Sequence, residues 1–203
     1  MSYHIIQNRI QLLTMKAHLN LTKTIYLLLA CFLLSSNAIG TGSLRSKDPS
    51  SDPEGPRLVS AVKAGFPVTF SSMWNPSHVH YRLDDLGTEN GAKVGAWCAA
   101  VLDTNQWIQV SSLEPKYWVG VTTQGREDLP QWVTKYTVHY TMDGEDWYIA
   151  ERGRVFKGNV DQTTKVDYEF SEPIYARTIR IVPQAWNNHI SLRFEAYFME
   201  DRE

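Results

Sequence analysis

Three short segments of the sequence each join an aromatic side chain to amide or charged groups. They are Trp74-Asn75, the segment 124–132, and Trp186-Asn187-Asn188-His189. Such sets suit a sugar, because planar polar side chains pair with hydroxyl groups while an aromatic ring stacks on the C–H face. Any one of these tryptophans taken alone fits a hydrophobic core better than a binding site. Taken together, the three segments predict seven contact residues: Trp74, Asn75, Arg126, Asp128, Trp186, Asn187 and His189.

The sequence contains no arrangement of residues that is typical of a catalytic site. It has no Gly-x-Ser-x-Gly segment, and the four histidines beyond residue 40 are dispersed. Adjacent acids occur at Asp84-Asp85 and Glu127-Asp128. Neighbouring carboxylates of this kind are usually solvated or cap a turn, and only rarely form the acid pair of a glycosidase. We therefore expect no enzymatic activity.

Two groups of residues bear on metal binding. His78 and His80 stand two apart on an extended segment and can share a face, but a pair without further ligands is a weak metal signal. Surface imidazoles beside Tyr81 are the favoured interpretation. The second group supplies oxygen donors from one loop: Asp84, Asp85, Glu89 and Asn90. Their order does not match an EF-hand loop, so we assign no cofactor and leave calcium binding open.

The first 40 residues have the layout of a secretory signal peptide. An apolar run at 25–34 follows Lys16 and Lys23, and small residues come after it. Residues 41–56 are rich in Ser, Gly, Asp and Pro, which predicts a flexible linker before a domain at 57–203. Removing residues 1–40 takes away three cations and no acid, which leaves a net charge of about −5 and argues against nucleic-acid binding.

Cysteine usage excludes an internal disulfide in the secreted chain. Cys31 lies within the predicted leader, and Cys98 is the one cysteine that follows it. Its apolar surroundings predict a buried, inert thiol, with an intermolecular bridge as the alternative.

Alternation of apolar and polar residues dominates the predicted domain. It is clearest at 135–142, 165–170 and 190–198, and Asp143-Gly144 predicts a turn after the first of these strands. Further strand candidates lie at 107–110, 118–122 and 178–182. No window shows a helical period, so we predict an all-β jelly-roll sandwich of two antiparallel sheets, with loops gathered at its two ends.

Short motifs occur in a fixed order over residues 58–199. They are Ser71-Ser72, Trp74-Asn75-Pro76-Ser77, Arg82-Leu83, Ala96-Trp97-Cys98, Gln106 to Val110, Val119 to Arg126, Asp143-Gly144 with Trp147, Phe156 to Asn159, Ala176-Arg177 to Ile181, and Ile190 to Glu195. In this order they resemble the discoidin domain, also called the coagulation factor V/VIII type C domain. Within that family the chain is most similar to the N-terminal domain of slime-mould discoidins.

The resemblance implies a galactose-binding-like β-sandwich without catalytic residues. Members of this family bind carbohydrate, anionic phospholipid, collagen or a protein partner through loops at one end, usually in cell adhesion. By position, those loops correspond here to residues 72–80, 84–96 and 124–131, with 186–189 nearby.

The chain departs from the family pattern at three places. The cysteines that join the two ends in many members are absent near 58–60 and at Met199. Only Met73 separates Ser72 from Trp74, and the 124–131 loop is short and charged, so we do not expect insertion into a membrane. The tripeptide at 126–128 is Arg-Glu-Asp, so the integrin-type recognition of Arg-Gly-Asp members is not carried over.

These observations predict a secreted, extracellular adhesion or recognition module that binds a glycan or glycoprotein through its loop end. The alternatives are a protein- or matrix-binding module without a sugar site and a peripheral phospholipid binder. A single weak sugar site gives modest affinity, so adhesion is expected to need clustering or a homo-oligomer.

Overall fold

The computed structural model describes residues 56–88 and 92–200. The predicted leader and nearly all of the predicted linker lie outside this part of the chain. The described residues form nine strands: β1 (Arg57–Ser60), β2 (Val68–Phe70), β3 (Trp97–Cys98), β4 (Ile108–Gln124), β5 (Trp132–Thr141), β6 (Tyr148–Ile149), β7 (Phe156–Lys157), β8 (Val166–Asn187) and β9 (Ser191–Glu200). One short 3-10 segment, Ala150–Gly153, follows β6. No helix within the described residues is long and apolar enough to cross a membrane.

The strands confirm the all-β prediction. The alternating segment at 135–142 lies mostly in β5, and the turn after it is closed by Asp143, whose Oδ1 accepts the backbone N–H of Glu145 at 2.9 Å and that of Asp146 at 3.0 Å. Gly144 takes the left-handed conformation that this turn needs, with φ of 86°.

Two pairs of predicted strands are joined in the structure. Residues 108–110 and 118–122 are parts of the single strand β4, and residues 166–170 and 178–182 are parts of β8, so each predicted first segment began one residue early. The pairing of β4 with β8 shifts register between Ser111 and Lys116 and then resumes. The chain therefore bends at a bulge without leaving the sheet.

These two long strands take part in both layers of the sandwich. The strand order is β1-β9-β4-β8-β5-β6, all pairs antiparallel. On one edge of β4, residues 108–110 pair with β2, whereas 117–124 pair with β9. The second half of β8 pairs with β5. Strands that change layers at a bend are a known way to close a β-sandwich.

Large aromatic side chains fill the space between the layers. Fully buried examples are Trp97, Trp118, Tyr136, Phe156, Phe194 and Phe198. Both buried indole N–H groups have partners: Trp118 donates to the carbonyl of Ala176 at 2.8 Å, and Trp97 donates to that of Ser72 at 2.8 Å. Removal of this apolar surface from water drives folding, and the Trp97 bond fixes the backbone two residues before Trp74.

Arg193 on β9 holds three loops together at one end of the sandwich. Its side chain is buried, and it donates from Nε to the carbonyl of Gly125 at 2.7 Å, from Nη1 to that of Asp85 at 2.8 Å and from Nη2 to that of Gln162 at 2.8 Å. Burial lowers the pKa of Arg193, and nearby carboxylates such as Asp84 oppose this shift. The guanidinium therefore links residues that lie far apart in sequence.

We expect Arg193→Met to destabilise the domain strongly, because three carbonyl groups lose their donor while the side chain keeps much of its volume. Loss of these bonds should lower the free energy of unfolding by about 3–5 kcal/mol. Urea denaturation followed by tryptophan fluorescence measures this change.

Arg177→Met is the matched control. The Arg177 side chain is 48% exposed, and its Nη2 lies 4.0 Å from Oε2 of Glu114. This variant should change the free energy of unfolding by less than about 1 kcal/mol. An equally small change in Arg193→Met would contradict the role given to the buried guanidinium.

Candidate ligand-binding site

Trp74 presents the most exposed tryptophan ring at the loop end. The loop between β2 and β3 carries it, its backbone N–H donates to the carbonyl of Cys98 at 2.9 Å, and the residue is 60% exposed. The ring stands perpendicular to the imidazole of His189, with 5.7 Å between the two ring centroids. Two of the predicted contact residues, which are 115 positions apart in sequence, therefore touch, and most of the indole surface stays open.

Asn75 closes a small turn beneath this ring. Its Oδ1 accepts the backbone N–H of Ser77 at 3.0 Å, the Ser77 hydroxyl at 2.6 Å and Nδ1 of His78 at 2.6 Å. Because the amide oxygen can only accept, Nδ1 of His78 is the protonated ring nitrogen. The Nδ2 amide of Asn75 has no partner among the described residues, and Asn75 is exposed. It remains free to donate to a ligand.

Arg126 and Asp128 form a two-pronged ion pair. Nε of Arg126 donates to Oδ1 of Asp128 at 2.6 Å, and Nη2 donates to Oδ2 at 2.9 Å. The bond from Arg126 is the main cause that lowers the pKa of Asp128. Nη1 of Arg126 donates to Oε1 of Gln131 at 2.9 Å and contacts Sγ of Cys98 at 3.7 Å.

The surroundings of Arg126 leave it little capacity to contact a ligand directly. The residue is buried, and four of its five N–H groups already point to protein atoms. Asp128, in contrast, has a side chain that is 39% exposed, and its oxygens keep lone pairs that face away from the guanidinium. Arg126 therefore orients Asp128, which is the group more open to a ligand.

The connection between β8 and β9 is tied to the 124–131 loop. Nδ2 of Asn187 donates to the carbonyl of Pro130 at 2.7 Å, and Nδ2 of Asn188 donates to the same oxygen at 2.8 Å. Asn188 has a φ of 59°, a left-handed conformation that asparagine tolerates better than most residues. Asn187 thus supports the site through its amide nitrogen.

Trp186 is the penultimate residue of β8. The structure extends β8 through Asn187, so Trp186 pairs with Val133 inside the sheet, is half-buried and packs against the core. Its indole is therefore mainly a packing group, whereas Trp74 supplies the open aromatic surface.

The protonation states of His78 and His189 determine which hydrogen bonds these two side chains can form. Burial is the main cause that lowers the pKa of His78, and the charge of Arg126 lowers it further while Asp128 opposes this. Burial also lowers the pKa of His189, whose Nδ1 donates to the carbonyl of Ile190 at 3.1 Å. Both rings are thus neutral at neutral pH, and Nε2 of His189 carries the lone pair that can accept a hydrogen bond.

Cys98 lies under the site as a buried free thiol, as the sequence predicts. Burial raises its pKa, and it accepts the hydroxyl of Ser191 at 3.2 Å. A buried thiol in this state is a poor nucleophile, so an intermolecular disulfide through Cys98 is not expected.

Two of the oxygen donors considered for calcium, Asp84 and Asp85, have partners within the protein. Asp84 pairs with Nζ of Lys165 at 2.5 Å, and Asp85 accepts the backbone N–H of Arg82 at 3.0 Å. Glu89 and Asn90 lie outside the described residues. Within 56–88 and 92–200, no group of three or more His, Cys, Asp or Glu side chains is arranged to hold a metal ion.

His78 and Gln131 lie within the predicted binding loops, but the sequence did not single them out as residues of the site. His78 was expected at the surface beside Tyr81, but it is buried because Asn75 and Ser77 turn the chain and hold its ring. The Asn-Pro-Ser sequence is a recognisable turn signal that points to such a side-chain bond. No local pattern marks Gln131, which contacts Arg126 and Ser191 only after folding.

Comparison with known proteins agrees with the fold and the motif order. Discoidin-2 of Dictyostelium discoideum is 45% identical over 102 residues, which are 50% of this chain and 40% of that protein. Human retinoschisin is 40% identical over 105 residues, which are 49% of this chain and 47% of that protein. The solved structure of recombinant discoidin II of D. discoideum has a TM-score of 0.69 and 35% identity, covering 72% of this chain and 60% of that one.

The chain spans less than half the length of these curated relatives. The model of the F5/8 type C domain family matches residues 67–196, which is more than half of the chain. The chain therefore belongs to the F5/8 type C, or discoidin, domain family.

Proposed function

We propose that this protein is a secreted, non-enzymatic adhesion or recognition module that binds an extracellular carbohydrate through the loops around Trp74. One observation carries the proposal: an exposed indole touches His189 from another loop and lies beside polar groups with unused hydrogen-bonding capacity. Membership of the discoidin family and similarity to Dictyostelium discoidins support a binding module of this kind.

Each exposed group of the site can make one kind of contact with a sugar, either stacking or a hydrogen bond. The C–H face of a pyranose stacks on Trp74, whose ring is available because it is 60% exposed. Nε2 of His189 and the carboxylate of Asp128 accept sugar hydroxyls, and Nδ2 of Asn75 donates to a ring or hydroxyl oxygen. An aromatic surface fixes the plane of the sugar, and donors and acceptors around it select the pattern of hydroxyls.

The support beneath these groups is rigid. Arg126 holds Asp128 with two bonds, and Pro130 is held by Asn187 and Asn188. A site that is ordered before binding loses less free energy to the fixing of loops when the sugar arrives. This is consistent with a small, weak site whose affinity rises through clustering on a surface.

We predict that Trp74→Ala weakens sugar binding roughly tenfold or more, because the stacking surface is lost. The matched control is Tyr175→Ala, which removes a ring that is 43% exposed on β8, twelve residues before Asn187. Retention of each variant on an immobilised sugar measures the effect. Equal retention of both variants would show that Trp74 does not carry binding.

The sugar itself is found by screening the full chain, presented as an artificial multimer, on a glycan array with calcium and again with chelator. Selective signal on galactose-type or related glycans supports the proposal, and signal lost with chelator assigns a role to calcium. An array that is silent under both conditions contradicts it and directs the search to protein or matrix partners.

We predict that sugar binding is constant at neutral and mildly alkaline pH and falls only when the pH drops through the pKa of His189, which burial lowers from the ordinary histidine value of 6.5. Above this lowered pKa the ring is neutral, whereas protonation below it removes the Nε2 acceptor and adds a charge near Arg126. Retention is measured across this range while tryptophan fluorescence confirms that the chain is folded.

His189→Gln is the control for this pH profile, because its amide keeps an acceptor and does not titrate. The acid loss should become smaller in this variant. An unchanged profile would mean that another group, such as His78, controls the response.

Exposed apolar residues at the same end favour one second candidate function, peripheral binding to phospholipid. Met73 is 38% exposed, Leu86 67% and Leu129 42%. Such binding would require anionic vesicles and weaken as salt rises, whereas sugar binding would not. Sedimentation with phosphatidylserine vesicles at low and high salt therefore separates the two functions.

A further inference from the structure

A second cluster of aromatic and polar residues lies on the outer face of the sheet formed by β4, β8 and β5. The guanidinium carbon of Arg180 is 4.0 Å from the ring centroid of Trp107 and 3.3 Å from that of Trp147. Trp107 immediately precedes β4, and Trp147 immediately precedes β6. All three side chains are half-buried, so the two indoles cover much of the cation.

Neighbouring strands place further polar groups beside Arg180. Gln109 on β4 and His139 on β5 are its partners in the pairing register. Nε of Arg180 donates to Oε1 of Gln109 at 2.8 Å, and His139 bonds through Nε2 to the hydroxyl of Thr137 at 3.0 Å. A row of polar groups thus crosses three strands, and two indoles contact the cation at its centre.

No carboxylate in the described part of the chain balances this cation. Arg180 takes part in none of the ion pairs there, and its Nη1 and Nη2 groups have no protein partner within it. Burial lowers the pKa of Arg180 to about 10, and it is the one cause of that shift. The Nη atoms are not among the fully enclosed polar atoms that lack a partner, so they reach solvent.

The two buried arginines of the described chain, Arg126 and Arg193, differ from Arg180 in this respect. Arg126 has a carboxylate on two of its nitrogens, and Arg193 uses all three nitrogens on carbonyl groups. Arg180 is partly desolvated, contacts both indoles and keeps the Nη edge of its guanidinium unused. A planar carboxylate fits such an edge with two parallel charge-assisted hydrogen bonds.

The surroundings favour a protein as the source of that carboxylate. Ile149 on β6, the last strand in the order, pairs with His139 and therefore lies on the same face as Arg180, where it is 47% exposed. Tyr148 pairs with Tyr140 and stacks on it at 5.6 Å between centroids on the opposite face. Trp and Arg are among the residue types that dominate binding energy at protein interfaces, and a cation in contact with two indoles beside an exposed aliphatic side chain matches such a surface.

We infer that this sheet face is a protein-binding surface at which Arg180 receives the side-chain carboxylate of an Asp or Glu from the partner. The surface is distinct from the sugar site, because Asn187 lies seven positions after Arg180 on β8, roughly 20 Å along an extended strand. Binding here and sugar binding around Trp74 are therefore independent, and one can fail while the other holds.

NMR titration of the isotope-labelled full chain tests this inference. The probe is N-acetylglutamate amide, and its neutral match is N-acetylglutamine amide. We expect saturable shifts of the Arg180 Nε–H signal and the Trp107 and Trp147 indole N–H signals with the acidic probe, and none with the neutral one. N-acetylneuraminic acid serves as an acidic sugar probe.

Arg180→Lys keeps the charge but loses the planar fork, so it should bind the acidic probe roughly tenfold more weakly. Arg177→Gln is the matched control, because Arg177 lies on the same strand and its side chain is 48% exposed. This control should leave the titration unchanged, and so should Trp74→Ala.

Four results would overturn the assignment: no shift with the acidic probe, equal shifts with the neutral probe, full affinity in Arg180→Lys, or tighter binding of the sugar acid. The last result would assign the surface to an acidic glycan. Spectra of the free variants show directly whether each is folded, so a loss of fold is not confused with a loss of binding.

Discussion

The buried guanidinium of Arg193 is the constraint on which the loop end depends. Loops in a β-sandwich have few apolar contacts of their own and are ordered only if their backbone polar groups find partners. Arg193 supplies three donors from a rigid strand to carbonyls of three separate loops. The surface around Trp74 is therefore an extension of the core, and its geometry follows from the position of β9.

Polar residues near the site divide into those that support it and those that remain open. Arg126, Gln131 and Asn187 use their hydrogen-bonding groups mainly on the protein, whereas Asn75 and His189 each keep one group free. A buried polar group without a partner costs free energy, so the supporting groups must be satisfied internally. Open groups at the rim avoid this cost, since water occupies them until a ligand replaces it.

The sequence was sufficient to predict the class of fold, the strands of clear alternation and the loop end. It was not sufficient to predict that β4 and β8 are continuous, because their bends follow from pairing between distant segments. Trp74 and Trp186 stand in similar local sequences, and only strand pairing with Val133 turns Trp186 toward the core. The contact of Arg180 with two indoles was missed for the same reason: nothing local relates Trp107, Trp147 and Arg180.

The isolated thiol of Cys98 bears on where this domain can fold. No disulfide is present within the described residues, and a lone buried cysteine has no partner to form one there. Folding of the sandwich therefore requires no oxidant and no disulfide isomerase, unlike many extracellular domains of this size. Packing, buried hydrogen bonds and ion pairs stabilise the described residues without a disulfide, so the same structure is accessible in reducing and oxidising compartments.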